Sequence, residues 1–263
     1  MNIVMRELRA NRKSLIIWSG CIIVLIAMGM AKYQGFAALG EEADELLATL
    51  PEFMQKAFGF GTGKLTEIKN YYSIFYMYFV LMAGIHAVML GATIILKEAR
   101  DKTADFLMVK PITRTKIITS KIIAAFINIV IFNIVIGITS ISFVSVYNKG
   151  ESITGDIIRV MIALFIVQCI FLGIGFLISS LTKSAKKASS LSTTILLIMY
   201  FLSMARNISD KIDFVKYITP FAYFDAKLAM NGNFDFLYII ISVIIVSIAF
   251  IITYINNQKR DII

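Results

Sequence analysis

The chain is poor in the side chains that do chemistry in most proteins. Its 263 residues include one histidine, two cysteines and one tryptophan, and only 16% are charged. A water-soluble domain carries about 25% charged residues. The length would allow a core in water, but the polar surface that such a core needs is missing. Cys21 and Cys169 both lie in apolar runs, which argues for buried packing and against a disulfide or a metal site. One histidine leaves no His/Glu metal motif, and no nucleophile stands in chain order with a base. A membrane enzyme is therefore a poor fit: no catalytic residue, no metal ligand and no cofactor site is expected in this chain. What is abundant is apolar, with 58% hydrophobic residues and a mean hydropathy of +0.79. The net charge of +9 does not indicate nucleic acid, because the basic residues sit between apolar runs and form no continuous stripe.

A membrane span needs roughly 20 apolar residues. Six runs meet or approach that length: 15–31, 73–96, 117–147, 157–181, 189–205 and 236–255. The fifth is short, and the third is long enough to tilt or to project. Backbone in lipid must satisfy its own hydrogen bonds, so all six are predicted to be helices. The first run continues past the small Ser19 and Gly20, so it reads as an uncleaved span. The expected fold is an all-α polytopic membrane protein, one transmembrane domain over 1–263.

Lys and Arg in the short flanks set orientation. Arg6, Arg9, Arg12 and Lys13 precede the first span. Lys97, Arg100, Lys102, Lys110, Arg114 and Lys116 follow the second, Lys183, Lys186 and Lys187 the fourth, and Lys259 and Arg260 the last. With six spans these regions fall on one side. The first loop on the other side holds Glu41, Glu42, Asp44, Glu45, Glu52 and Glu67. Both termini are predicted to be cytoplasmic, in a multi-pass protein of the cell (plasma) membrane.

Three segments suit the membrane surface. Residues 1–14 place Val4, Met5 and Leu8 on one helical face and Arg6, Arg9 and Arg12 elsewhere, the pattern of an interfacial helix on an anionic lipid leaflet; the alternative is a solvated basic flank. In the first outer loop Leu46, Leu47, Leu50, Phe53, Met54, Ala57 and Phe58 recur at helical spacing, with Pro51 starting a second piece. That segment either gates a path, meets an amphipathic substrate or rests at the headgroups. Residues 210–232 carry Phe214, Tyr217, Phe221, Tyr223 and Phe224 around Pro220, and are predicted to form a pair of re-entrant or interfacial helices before the last span.

None of the six runs contains Asp or Glu. A cation-coupled carrier needs a carboxylate near the midplane, so that class is disfavoured. His86, in the second run, reads more readily as a hydrogen-bonded packing residue than as a ligand. Gln168, Asn128 and Asn133 read as interhelical hydrogen-bonding groups. Phe53, Phe58, His86 and Phe221 are the candidates for a substrate path or gate. Gly59-Phe-Gly-Thr-Gly-Lys64 imitates a phosphate loop. The motif requires glycine where Phe58 stands and Ser or Thr where Leu65 stands, so no nucleotide site is visible.

The loop 97–121, KEARDKTADFLMVKPITRTKIITSK, is the most informative stretch. A helix of about three turns is predicted to begin near Glu98, with Ala104, Leu107 and Met108 on one face and Phe106 beside it. Pro111 disfavours helix at Lys110. The loop is either a docking helix for a cytoplasmic partner or an ordinary basic connection. Glu98, Thr103, Ala104, Phe106 and Leu107, then Pro111-Ile-Thr-Arg114 and Lys121, resemble the loop pattern of type-2 ABC exporter permeases, bacterial peptide and drug exporters among them. Leu50-Pro51-Glu52 with Ala57-Phe58-Gly59, and Thr219-Pro220-Phe221, are similar to other segments of that family. Many members have a glycine near Thr103, and this chain has none.

The resemblance implies a pair of six-span permeases, a homodimer being the expected form, with two copies of a separate ABC ATPase below that bind ATP and Mg. The N-terminal helix and the first cytoplasmic loop, with Glu98, Arg100, Asp101, Thr103, Ala104, Phe106, Leu107, Met108, Lys110, Pro111 and Arg114, would dock on the ATPase. The carboxylate-free spans and the amphipathic outer segment favour export of a hydrophobic or amphipathic substrate, with a cationic amphipathic or antimicrobial peptide as the first guess.

Overall fold

The structure is a computed structural model and describes residues 3–60, 63–97, 113–148, 150 and 152–259. Among these residues there are helices and turns but no strand. In chain order they are α1 (Ile3–Leu39), α2 (Glu41–Ala48), α3 (Glu52–Phe58), α4 (Ile68–Ile94), α5 (Arg114–Tyr147), α6 (Thr154–Leu181), α7 (Ala185–Ile208), two 3-10 segments (Asp210–Tyr217 and Pro220–Ala222), α8 (Ala226–Met230) and α9 (Phe236–Lys259). Six are long and apolar enough to cross a membrane: α1, α4, α5, α6, α7 and α9. All six runs expected from the sequence are present. The short fifth run gains a turn at its start and most of one at its end, reaching 24 residues.

α6 is the centre of the bundle. Of its most apolar stretch 67% is buried, against 50% for α4 and 17% for α9. α4 and α6 approach so closely that a Cβ on Gly91 would lie 2.4 Å from the Leu172 carbonyl oxygen, and one on Gly175 would lie 2.4 Å from that of Val88. Only glycine permits backbone contact this tight, and in lipid such contact replaces the hydrophobic drive for helix association. α5 lies against α1, α7 against α4 and α9 against α6. The outer faces keep large apolar side chains exposed, among them Ile16, Ile17, Val24 and Met28 on α1 and Val243, Ile244 and Ile251 on α9. Faces of this kind are stable against hydrocarbon and not against water.

Contacts between loops separate the two ends of the bundle. At one end, Asn256 bonds Ser180 at 3.3 Å, Arg114 donates to the Gln258 carbonyl at 3.2 Å, and Lys97 pairs with Glu7 at 3.9 Å. At the other, Tyr33 donates to the Thr66 carbonyl at 2.7 Å, and Lys69 reaches both Asp156 and Asn231. The first we call the terminal end and the second the outer end. α2, α3, the 3-10 segments and α8 all lie at the outer end.

Three expectations change in detail. The N-terminal segment is helical, but it is not a separate piece: α1 runs unbroken for 37 residues, about 56 Å at 1.5 Å per residue. Good helix formers such as Arg, Leu, Ala and Lys link the polar turns to the apolar ones, and no glycine or proline stands between them to stop the helix. Cys21 is exposed on α1 and not buried, while Cys169 is partly buried; both are free thiols. Asn128 does not reach across helices. Its amide donates to the Ala124 carbonyl of its own helix at 2.8 Å, whereas Asn133 on α5 does bond Gln168 on α6 at 3.1 Å.

Candidate functional site

A cavity of about 540 Å³ opens at the outer end. Its walls are the C-terminus of α3, the first half of α4, the last turns of α7, the aromatics after Pro220, and α8. Each wall has a local cause. Pro51 sits at the N-cap of α3, so the two outer helices break where the sequence places proline. α3 ends at Gly59 with φ +71. The Phe60 amide bonds the Gln55 carbonyl at 2.8 Å and that of Gly59 bonds Lys56, the paired closing bonds of a left-handed helix end that glycine permits. This turn folds Phe60 back under Phe58, with the rings stacked at 5.9 Å.

α8 is only five residues long and is held at both ends. The Asp225 carboxylate caps its start, accepting from the amides of Lys227 at 2.9 Å and Leu228 at 3.1 Å. Gly232, at φ +78, closes its end in the same way as Gly59 does. The Asn233 amide reaches the Leu228 carbonyl at 2.9 Å, and the Gly232 amide that of Ala229 at 3.0 Å. The expected pair of re-entrant or interfacial helices is thus built as two 3-10 turns and one short α-helix. Its first turn is fixed to α7 by Asp213, which pairs with Lys216 and, at 3.0 Å, with Arg206. Bonding to Lys216 first, and to Arg206 second, holds the Asp213 carboxyl below the usual range.

The interior is aromatic and soft. Phe221 packs against Tyr200 at 5.3 Å and against Phe171 at 4.9 Å. Phe58, Phe60, Tyr76, Met77, Met204 and Phe224 complete the apolar lining, and Lys56, Asn207, Asp225 and Lys227 bring polar atoms to it. Burial pushes the Lys227 ammonium below its ordinary pKa, against the opposing pull of Asp225 and Glu67. The hydroxyl of Tyr76, a residue 4% exposed, has no hydrogen-bond partner among the described residues. An apolar cavity with a few polar groups is the form that binding sites for single small ligands take.

The candidates for a path divide accordingly. Phe58 and Phe221, 163 positions apart in the chain, line the same cavity. Phe53 does not; it is 57% exposed on the outer surface of α3. His86 does not either. It is buried between Trp18 of α1, 5.6 Å away, and Phe132 of α5, 4.5 Å away. Its Nδ1 has no hydrogen-bond partner among the described residues, so its contacts there are aromatic packing and not the hydrogen bonding expected.

At the terminal end, Leu8 packs against the core, Arg9 and Arg12 are exposed, and Arg6 pairs with Glu7 at 3.1 Å. Glu7 itself is completely buried, a carboxylate that composition gave no reason to single out. Lys121, 2% exposed, donates to the carbonyls of Ile94 at 2.5 Å and Ile95 at 3.5 Å. Its ammonium caps the C-terminus of α4, where the helix dipole favours a cation. Lys97 and Arg114 flank the loop expected to dock a partner. The loop residues Glu98, Arg100, Asp101, Thr103, Ala104, Phe106, Leu107, Met108, Lys110 and Pro111 lie outside the described residues.

The family model described as "ABC-2 family transporter protein" matches residues 1–262. No curated protein matches the chain. Together with six membrane-length helices and the lipid-facing exterior, a match over the whole length decides the family: the chain belongs to the ABC-2 transporter family and is a multi-pass membrane permease.

Proposed function

We propose that this permease is the membrane half of an ATP-driven exporter, paired with a second permease copy and served by two copies of a separate ATPase chain that bind ATP and Mg. Both termini lie in the cytoplasm, as the Lys and Arg flanks favour, and the outer end faces outward. The substrate is hydrophobic or amphipathic and leaves through the cavity between α3, α4, α7 and α8. The observation that carries this reading is the cavity itself, apolar in its interior and polar at a few points, at the end of the bundle opposite the basic flanks.

Size narrows the cargo. A drug-sized ligand fills roughly 300–1,000 Å³, so 540 Å³ holds one such molecule or a lipid tail. An antimicrobial peptide passes through this cavity by one apolar segment at a time. The two lysines and one aspartate at the lining do not favour a cationic cargo, so the expectation of a cationic peptide loses support from charge.

In this reading the ATPase binds ATP itself and couples to the spans by docking on the loop 98–112, with Leu107 as the contact to test. Nucleotide binding does work on the spans only if the ATPase contacts this loop differently in its two states. The test is co-purification with the ATPase and ATP-dependent transport in vesicles. Leu107→Asp dissociates the pair or uncouples hydrolysis from transport, whereas His86→Ala leaves transport within about threefold, because His86 only packs. A Leu107→Asp protein that keeps both the complex and transport refutes the coupling assignment.

A further inference from the structure

We propose that α8 and the turn after it form a lid over the outer cavity, latched shut by an ionic trio, Lys69, Asp156 and Arg159. This inference concerns the regulation of the cavity and rests on reading that cavity as the exit path.

The trio lies on two elements, α4 and α6, and ties both to the lid. Asp156 lies in the first turn of α6 and accepts from Lys69 at 2.8 Å, on α4, and from Arg159 at 2.9 Å, one turn along α6. Each cation uses a second bond to hold the lid. Lys69 donates to the side-chain oxygen of Asn231 at 2.9 Å. Arg159 donates to the Met230 carbonyl at 2.8 Å, and its Nε lies 3.8 Å from where a Cβ on Gly232 would be. Asp156 does not touch the lid. It orients the two side chains that do, and is therefore a positioning residue.

The lid is built to move as one piece. α8 carries its own caps, Asp225 at the start and the Gly232 turn at the end, so its internal bonds survive displacement. Asp225 and Leu228 line the cavity, while Met230, fully buried, seats the far end. Lifting the segment 225–233 therefore removes a cavity wall. The latch is weak by design of its surroundings: the Lys69 and Arg159 side chains are 37% and 48% exposed. Ion pairs so placed are screened and open readily, as a release step requires.

The test uses the full-length chain in lipid nanodiscs, with Cys21→Ala to remove the exposed thiol and Ser203→Cys to report from the cavity wall. A sulfonated, membrane-impermeant maleimide is the probe, and native Cys169, partly buried in the middle of α6, is the control that stays unlabelled while the bundle is intact. Asp156→Asn and Lys69→Gln each raise the labelling rate at position 203 about two- to fivefold, the equilibrium value of one exposed ion pair. Asp156→Glu, which keeps the charge, stays near the parent rate, and Cys169 labelling is unchanged throughout. The latch is refuted if neither Asp156→Asn nor Lys69→Gln accelerates labelling, or if Cys169 accelerates in step, which means general loosening. ATP-dependent transport by the parent chain is measured separately with its ATPase. Absent transport with accelerated labelling overturns the exporter and keeps the lid; transport without acceleration overturns the lid alone.

Discussion

Replacing Lys121 by methionine tests whether a buried charge at the terminal end stabilises this fold. The side chain is 2% exposed and, among the described residues, its ammonium donates to two carbonyls at the end of α4. A hydrogen bond to a charged group contributes about 1.5–3 kcal/mol. A cation at a partly buried helix C-terminus contributes up to about 2 kcal/mol, which is the same interaction counted another way. Methionine keeps the length of the aliphatic stem, so packing changes little. Two effects oppose each other. The buried ammonium no longer has to be desolvated, which relieves the variant. The carbonyl of Ile94 is left without its donor in a buried position, which costs about 1–3 kcal/mol. At 2.5 Å the bond is short and charge-assisted, so the second effect wins. The expected loss is about 2 kcal/mol, near a thirtyfold shift in the folding equilibrium. The assay is reversible unfolding in mixed micelles at increasing SDS, followed by far-UV circular dichroism. Lys121→Arg keeps the charge but changes its geometry and falls between parent and Lys121→Met. A Lys121→Met protein as stable as the parent, or more so, refutes the reasoning, because it shows that desolvation outweighs the bonds the ammonium makes.

Gly175→Ala forces a methyl group to within 2.4 Å of the Val88 carbonyl oxygen and costs roughly 1–3 kcal/mol. Gly155→Ala, with nothing within 4 Å, is neutral or stabilising by about 0.5–1 kcal/mol; melting curves of the two proteins check the contrast. Phe221→Ala removes the ring packed on Tyr200 and Phe171 and lowers transport about tenfold, the order of one aromatic pair. Phe53→Ala, outside the cavity, leaves transport unchanged; vesicle uptake with ATP measures both.

The parts of the fold that were legible are those set by neighbours in the chain. A run of apolar residues fixes a span by its own length, and six runs gave six helices. Pro51 acted within its own turn, so the break between α2 and α3 could be read directly. The contacts that close the outer end could not. Lys69 and Asn231 are 162 positions apart, and each alone is an ordinary polar residue beside a span. Glu7 looks like one acid in a basic flank until α1 continues through it and turns it inward. Asn128 and Asn133 have the same side chain and are five residues apart. Five residues on a helix turn them by about 140° from one another, which puts one against its own backbone and the other against α6. Phe58 and Phe221 were both singled out for being aromatic near an interface, but only the fold decides that they share a cavity and that Phe53 does not.

α1 has one further consequence. It is a single rod about 56 Å long, held near its terminal end through Glu7 and near its outer end where Gly29 accepts from the Tyr71 hydroxyl at 2.6 Å. A rod without a hinge cannot absorb a push by bending at one residue. A tilt of about 5° about one end carries the other through about 5 Å, enough to break any hydrogen bond described here. Force applied to the basic N-terminal turns thus reaches the start of α4, beside the cavity, as displacement and without relay through side chains.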